Sequence, residues 1–451
     1  MKPNFIDCNR KTAYLLPPSL EDWLPSGHLA RFVIDIVEEL DLRSLKESYG
    51  GRGSSAYNPV MLTALLFYGY ATGVFSSRKL ERSTYDSVAF RYIAANSHPD
   101  HDTIASFRRR FLPELEKLFV QILEIAGRMG VLKLGSVSLD GTKIKANASK
   151  HKALSYAHAL KLEEQLKAEV SELLKQAEAA DQTDIPDGMS IPEELSRREE
   201  RLKAIAEAKA EIECRAHLRH AAEQEAYEKK MTELAHKEQE TDRKPKGSAP
   251  KPPAPGPTGK DQVNLTDSES RIMPAPSGFE QAYNAQAAVD ASSMLIVAEH
   301  VSQNPNDKQE LKPVLDSIVV LPETLGAVDT LLADSGYFSE ANVKGCEEKE
   351  ITPYIAPGRE GHNQPLFERF SEPPPIADDA DCVTRMKHRL KTIAGRAVYA
   401  RRKCTAEPVF GIIKSVMGFR SFLLRGCQAV RGEWKLVCIA WNLKRLHVLH
   451  G

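Results

Sequence analysis

Ser136-Val137-Ser138-Leu139-Asp140-Gly141-Thr142-Lys143 is the stretch on which the reading of the whole chain turns. Small polar and apolar residues alternate from Ser136 to Leu139, the period of a half-buried β-strand. Asp140-Gly141 then reads as the end of that strand and a turn. A carboxylate at the end of a rigid strand is fixed in place yet open to solvent, which suits a metal ligand. An ordinary turn aspartate has the same signature, so a second such position is needed to choose.

The pattern returns far down the chain. Val328-Asp329-Thr330-Leu331-Leu332-Ala333 is a short apolar strand that ends in Asp334, followed by Ser335-Gly336. If the two strands are neighbours, their terminal aspartates meet. Between them, Gly278 to Asp290 reads as a strand and Met294 to His300 as its hairpin partner. Asp307 to Val319 reads as a helix capped by Asn306 or Asp307. A helix from Ser339 to Lys349 and a strand from Ile351 to Ala356 follow. This alternation is an α/β order with a mixed sheet.

Residues 1 to about 130 read as helices. Leu29 to Val37 and Val60 to Phe67 carry apolar residues at helical spacing, and Asn58-Pro59 is a cap followed by proline at the first helical position. Asp102-Thr103 is expected to cap a helix from Ile104 to Phe111. Its Arg108, Arg109 and Arg110, beside Phe107 and Phe111, fit DNA phosphate contacts and exposed charge equally well. A helix from Leu112 to about Met129 leads into the opening strand. Leu154 to about Arg243 is a charged stretch with leucines and isoleucines at 162, 166, 173, 195, 202, 205 and 212. Separations of three, four and seven suit a helical seam, broken at Asp184 to Gly188, so two long antiparallel helices are expected. Residues 245–259 are a Pro/Gly-rich linker, and 358–381 read as a loop.

The formal net charge of −1 hides an asymmetry. Val383 to Gly451 holds 15 Lys/Arg and 2 acids, whereas His151 to Arg243 holds 15 Lys/Arg and 22 acids. A basic region of that density is the footprint of a nucleic-acid binder, or else a solvated helical surface. The seven cysteines are scattered singly and form no CxxC, so neither a disulfide framework nor a zinc site is indicated. No apolar run is long enough to span a bilayer and Met1-Lys2-Pro3-Asn4 starts no signal core, so a cytoplasmic protein is expected.

Glu407 is the only acid from Val383 to Gly432. It opens a segment, Thr405 to Lys414, that reads as a helix with Pro408 in its first turn. Glu407, Gly411 and Lys414 share one face, and Val409, Ile412 and Val416 another, expected to be buried. A lone carboxylate in a basic field is a salt-bridge partner or a metal ligand. Two hard divalent ions need oxygen ligands, and about 3.5–4 Å apart they stabilise both the attacking and the leaving oxygen of phosphodiester transfer. Asp140, Asp334 and Glu407 form a minimal carboxylate set for that chemistry.

The motifs, taken in order, are similar to those of a DDE transposase of a bacterial insertion sequence, in the group numbered eleven-eighty-two. They are Asp140-Gly141-Thr142-Lys143, Gly278-Phe279 with Tyr283-Asn284-Ala285-Gln286, Ala333-Asp334-Ser335-Gly336-Tyr337-Phe338, and Glu407-Pro408-Val409-Phe410-Gly411 with Lys414. Tyr57-Asn58-Pro59 and Phe107-Arg108-Arg109-Arg110-Phe111 resemble the helical domain that precedes such a core. The resemblance implies a ribonuclease-H-like catalytic core over 131–150 and 260–451, a helical DNA-binding domain over 1–130, and a helical-hairpin insertion over 151–244. It also implies Asp140, Asp334 and Glu407 as catalytic residues holding two Mg2+ (or Mn2+) ions. Related families space a tyrosine, a basic residue, the glutamate and a lysine by two, three and six residues. Lys403, Glu407 and Lys414 keep the last two gaps, and Tyr399 sits one residue early. Lys143, Lys403, Lys414 and Arg108 to Arg110 are then the expected DNA contacts. The partners implied are double-stranded DNA at the element's terminal inverted repeats and at the target, with a homodimer or larger assembly on DNA in a bacterial nucleoid. A catalytically inactive repressor and a two-metal nuclease without strand joining stay open as alternatives.

Overall fold

β1 (Ser136–Lys145) runs straight through the position at which a turn was expected. In this computed structural model, which describes residues 19–49, 56–179, 190–241, 250–275, 278–358 and 371–451, Asp140-Gly141 lies inside an extended strand. The cause is pairing, since β1 lies between β5 (Gly278–Asp290) and β7 (Thr330–Ala333) in the sheet. Two further strands belong to the small antiparallel pair β2 (Ala153–Ser155) and β3 (Gln262–Asn264). The remaining strands are β4 (Arg271–Ala275), β6 (Ile296–Ser302) and β8 (Thr352–Ile355).

The main sheet runs β4-β5-β1-β7-β8, with β6 also paired to β5. β1 and β7 are parallel, with Ser136 opposite Thr330, Val137 opposite Leu331 and Ser138 opposite Leu332. β7 and β8 are parallel, while β4 and β6 run antiparallel to β5, so the sheet is mixed as expected. Two residues beyond the last β1–β7 pair stand Asp140, still within β1, and Asp334, directly after β7.

The helices before β1 are α1 (Leu29–Glu39), α2 (Arg43–Glu47), α3 (Pro59–Ala71), α4 (Ser77–Asp86), α5 (Val88–Ile93), α6 (His101–Phe111) and α7 (Leu115–Arg128). Asn58 caps α3 as expected. The cap of α6 is Asp100, which accepts from the Thr103 N–H at 2.8 Å, rather than Asp102-Thr103. α3 buries every residue from Leu62 to Ala71, so it is a core helix without a polar face.

After β1 come α8 (Tyr156–Ala179) and α9 (Ile191–Thr241). Leu166, Ile205 and Ile212 form their core with Leu154, Ala159, Ala208 and Val263, and Leu162 and Leu202 pack against it. Glu163 pairs with Lys209 at 2.5 Å and Glu169 with Arg198 at 2.9 Å, which fixes the two helices antiparallel. At 1.5 Å per residue α9 is about 75 Å long and outruns α8 by far. The break at Asp184 to Gly188, the start of the linker (245–249) and residues 359–370 of the expected loop lie outside the described residues. Residues 250–259 and 371–381 carry neither helix nor strand.

α10 (Leu311–Val319) and α11 (Glu340–Glu347) flank β7, and α12 (Cys382–Lys391), α13 (Ile393–Ala400), α14 (Ala406–Ser415) and α15 (Cys427–His450) complete the chain. α14 buries Ala406, Val409, Phe410 and Ile413. The expected face Val409, Ile412, Val416 is therefore rotated, and Val416 is exposed. The aromatic ring decides it, because Phe410 stacks on the buried Trp434 of α15 at 6.1 Å between centroids.

By its contacts the described chain forms two compact units, residues 1–144 with 284–424 and 428–451, and residues 145–283 with 425–427. The N-terminal helices thus share one unit with most of β1, the second half of β5, and β6, β7 and β8. Glu433 of α15 explains why. It is fully buried and accepts from Leu423 N–H (2.9 Å), Leu424 N–H (3.0 Å) and the Tyr70 hydroxyl of α3 (3.2 Å). Arg108 of α6 donates to the same hydroxyl at 3.1 Å and to Phe75 O at 3.0 Å. Burial pushes the Glu433 carboxyl up, and the Leu424 N–H and Arg108 oppose that rise. Breaking such a buried network by removing one partner costs about 3–5 kcal/mol. Arg108→Met is expected to lower the denaturant midpoint accordingly, at an unchanged slope. A loss under about 1 kcal/mol would show that Arg108 is not what balances Glu433.

Candidate active site

The site is assembled from three elements of one unit. Asp140 projects from β1, Asp334 follows β7, and Glu407 stands in the first turn of α14. The parallel register of β1 and β7 brings the two aspartates to the same end of neighbouring strands. Asp334 caps a short 3-10 turn, Ser335–Tyr337, and accepts from the Gly336 N–H at 2.8 Å. Asp140 Oδ1 accepts from the Gly141 N–H at 2.8 Å.

Arg402 joins them. Its guanidinium lies 4.0 Å from Asp140 Oδ2 and 3.1 Å from Glu407 Oε1. Its side chain is only 13% exposed, and its Nε is buried with no hydrogen-bond partner in the described structure. Arg402 belongs to a 3-10 turn, Arg401–Cys404, directly after α13. One turn earlier, the Tyr399 hydroxyl reaches the carbonyl of Ala333, next to Asp334, at 3.4 Å. Tyr399 and Arg402 thus keep the two-residue gap that related families show, and the extra residue falls between Arg402 and Glu407. Thr405, with φ −114° and ψ −83°, takes it up between the 3-10 turn and α14. Lys403, which the spacing from Glu407 had selected, is exposed. The usable signal was the Tyr399-x-x-Arg402 spacing, hidden because the count was taken from the glutamate.

The other expected DNA contacts divide. Lys143 Nζ pairs with Asp307 at 2.9 Å. Lys414 donates to the Thr142 hydroxyl and, at 3.2 Å, to the Lys143 carbonyl, so it ties α14 to β1, and burial lowers its pKa. Arg108 is buried in the Glu433 network and cannot meet a phosphate. Arg109 and Arg110 are exposed on α6; Arg110 donates to Ser48 O and lies over the Tyr49 ring at 4.9 Å.

Burial raises the Asp140 carboxyl to about 6, and the charges of Asp334 and Glu407 push the same way, against the Gly141 N–H and Arg402. Three carboxylates against one guanidinium leave the site short of positive charge. That donor set, all oxygen and all anionic, fits a hard divalent cation. Among the described residues no three acidic, histidine or cysteine side chains converge into a ready-made cation cage, and the cation the carboxylates hold here is Arg402. Asp140, Asp334 and Glu407 are the groups that would bind a metal ion.

Residues 253–443 match the family model of the transposase DDE domain, and residues 18–110 match that of a transposase domain (DUF772). No curated protein and no solved structure matches the chain.

The raised Asp140 pKa has a consequence for stability. A carboxyl near 6 in the folded state and near 4 when unfolded binds its proton more tightly when folded. Its contribution is therefore most favourable below about pH 4 and is lost as pH rises through 6, a change of roughly 3 kcal/mol at most. In protein stripped of divalent ions, Asp140→Asn is expected to be more stable than wild type at pH 7.5 and to lose that advantage at pH 4. Chemical denaturation at both values reads it, and equal midpoints at pH 7.5 would refute it.

Proposed function

Since the chain belongs to the DDE transposases of insertion sequences, a family of DNA transposition enzymes, we propose that it cuts DNA at the ends of its own element and joins the freed 3′ ends to target DNA. The observation that carries this reading is the convergence of Asp140, Asp334 and Glu407 from three separate elements around Arg402. In the ribonuclease-H-like core that the family implies, these three carboxylates hold the divalent ions, Mg2+ or Mn2+, two per site. Bound there, the ions supply electrostatic stabilisation of the phosphodiester transition state. Placement in the group numbered eleven-eighty-two is part of this proposal and rests on the order of the motifs.

The chain's own residues take the remaining tasks. Asp140 is held within β1, and Asp334 directly after β7 by its cap on the Ser335–Tyr337 turn, which fixes the geometry that transesterification requires. Glu407 is half exposed and mounted on a separate helix. Arg402 carries the positive charge nearest the carboxylates, and its fork suits a phosphate better than a lysine would. Arg109, Arg110 and Lys403 offer exposed charge to the DNA backbone. Bringing two element ends together calls for a homodimer or larger assembly on double-stranded DNA.

The test is incubation of the purified protein with labelled duplex carrying both flanks of its gene and a circular target, in Mg2+ or Mn2+. Cuts at matched inverted ends and joined product are expected. Asp140→Ala, Asp334→Ala and Glu407→Ala should each lower the rate on the order of 10³-fold or more while the flanks are still bound. Cutting without joining would leave a two-metal nuclease. Binding without cutting would leave a repressor.

A further inference from the structure

Asp307 lies behind the candidate active site and belongs to no motif that the sequence singled out. Its Oδ1 is the common acceptor of three donors: Lys143 Nζ of β1 at 2.9 Å, Asn284 Nδ2 of β5 at 2.6 Å and Gln286 Nε2 of β5 at 3.0 Å. Asn284 and Gln286 are fully buried, which is unusual for two side-chain amides on one strand and costs free energy unless each is hydrogen-bonded. They are bonded: Gln286 Nε2 also donates to Asn284 Oδ1 at 2.9 Å, and Asn284 Nδ2 also donates to Asn304 O at 3.1 Å. Gln286 Oε1 accepts from the buried Tyr337 hydroxyl, three residues past Asp334. The Gln286 amide in turn lies against Gly141, where a Cβ would come within 2.8 Å of Oε1. Asp307 Oδ2 faces Gly336, the residue whose N–H Asp334 holds.

We propose that Asp307 is a positioning residue for the two strand-end aspartates: one carboxylate gathers β1 through Lys143, β5 through Asn284 and Gln286, and, through Gln286, the Tyr337 turn after Asp334. The assignment rests on the active-site reading of Asp140 and Asp334. It explains three features at once. Asn284 and Gln286 recur at strand period two because both must face Asp307. Position 141 is glycine because the Gln286 amide occupies the space of its side chain. Lys143 points inward because a fourth carboxylate beside Asp140, Asp334 and Glu407 needs its own cation. Asp307 itself needs no contact with DNA or metal to do this.

The probe is terbium(III), which reports occupation of a carboxylate cation site by luminescence, measured beside single-turnover cleavage of the flanking duplex and its dissociation constant. Asp307→Ala removes the acceptor of all three donors. It is expected to weaken terbium binding and to slow cleavage roughly 10–100-fold, the scale of residues that orient metal ligands, with DNA affinity unchanged within about twofold. Asp307→Asn keeps an oxygen at the hub and should retain most of both signals, so it separates positioning from a failure to fold. Asp140→Asn runs in parallel. If it loses terbium and cleavage while Asp307→Ala keeps both, the Asp307 assignment falls alone. If Asp140→Asn keeps both, the active-site reading falls, and the Asp307 assignment with it. Equal losses of DNA affinity and cleavage in Asp307→Asn would make Asp307 a DNA contact instead and overturn the proposal.

Discussion

Everything at the site depends on the parallel pairing of β1 with β7. That register puts two carboxylates at the same end of neighbouring strands, where they repel. That repulsion adds to the cost of burying the Asp140 carboxylate, which is the larger effect. The strands hold because the residues before the aspartates are apolar and fully buried. Val137 and Leu139 on β1, and Leu331 and Leu332 on β7, have no exposed surface. Each contributes about 2 kcal/mol of burial, so the pair of strands outweighs the repulsion it creates. Burial does most to raise the Asp140 carboxyl, and the charge of Asp334 adds to it.

Positive charge is then placed where this imbalance requires it, and less is left for DNA than a count suggests. Among the cations after Val383, Arg402 faces the carboxylates and Lys414 ties α14 to β1. Lys435 sits against the buried Glu299 at 3.2 Å, where burial lowers its pKa to about 8 and raises that of Glu299 to about 8 as well. Arg385 pairs with Glu347 at 2.6 Å, and Arg389 bonds Pro353 O at 3.1 Å and lies over Tyr354. The density of Lys and Arg in this region therefore reports two things, an electrostatic face and internal pairing, of which only that of Arg402 serves the acidic centre. Lys391, Arg401 and Lys403 remain exposed and belong to the first.

The backbone order of the core was legible because it follows from period and punctuation. Gly278 to Asp290 is a strand at those bounds, and Asn58 and Asn306 cap the elements that follow them. The strand end at Asp140-Gly141 was not legible, because a glycine needed for close approach of a side chain has the same letter as one needed for a turn. The buried face of α14 was misread for a similar reason. Two apolar stripes compete on that helix, and the partner that chooses between them, Trp434, comes from α15. Asp307 carried only the signal of a helix cap. Its significance lies in donors from two strands, and Asn284-x-Gln286, two amides at strand period two, was the one visible hint of a buried polar centre.

Arg108 and Arg402 show the same limit from opposite sides. The Arg108 to Arg110 run looks like a phosphate-binding face, yet its first member is buried because Glu433, more than three hundred residues later, lies beneath it. A carboxylate without exposed surface needs a nearby cation far more than a DNA backbone does, since the phosphate has water and counterions as alternatives. At the site the competition reverses. Arg402 and Lys403 are adjacent in sequence, but the 3-10 turn aims one at the carboxylates and leaves the other at the surface. A one-residue change in spacing thus selects which basic side chain faces the carboxylates and which stands at the surface. The choice is made by Thr405, where the backbone leaves the 3-10 turn and α14 begins with Glu407 in its first turn.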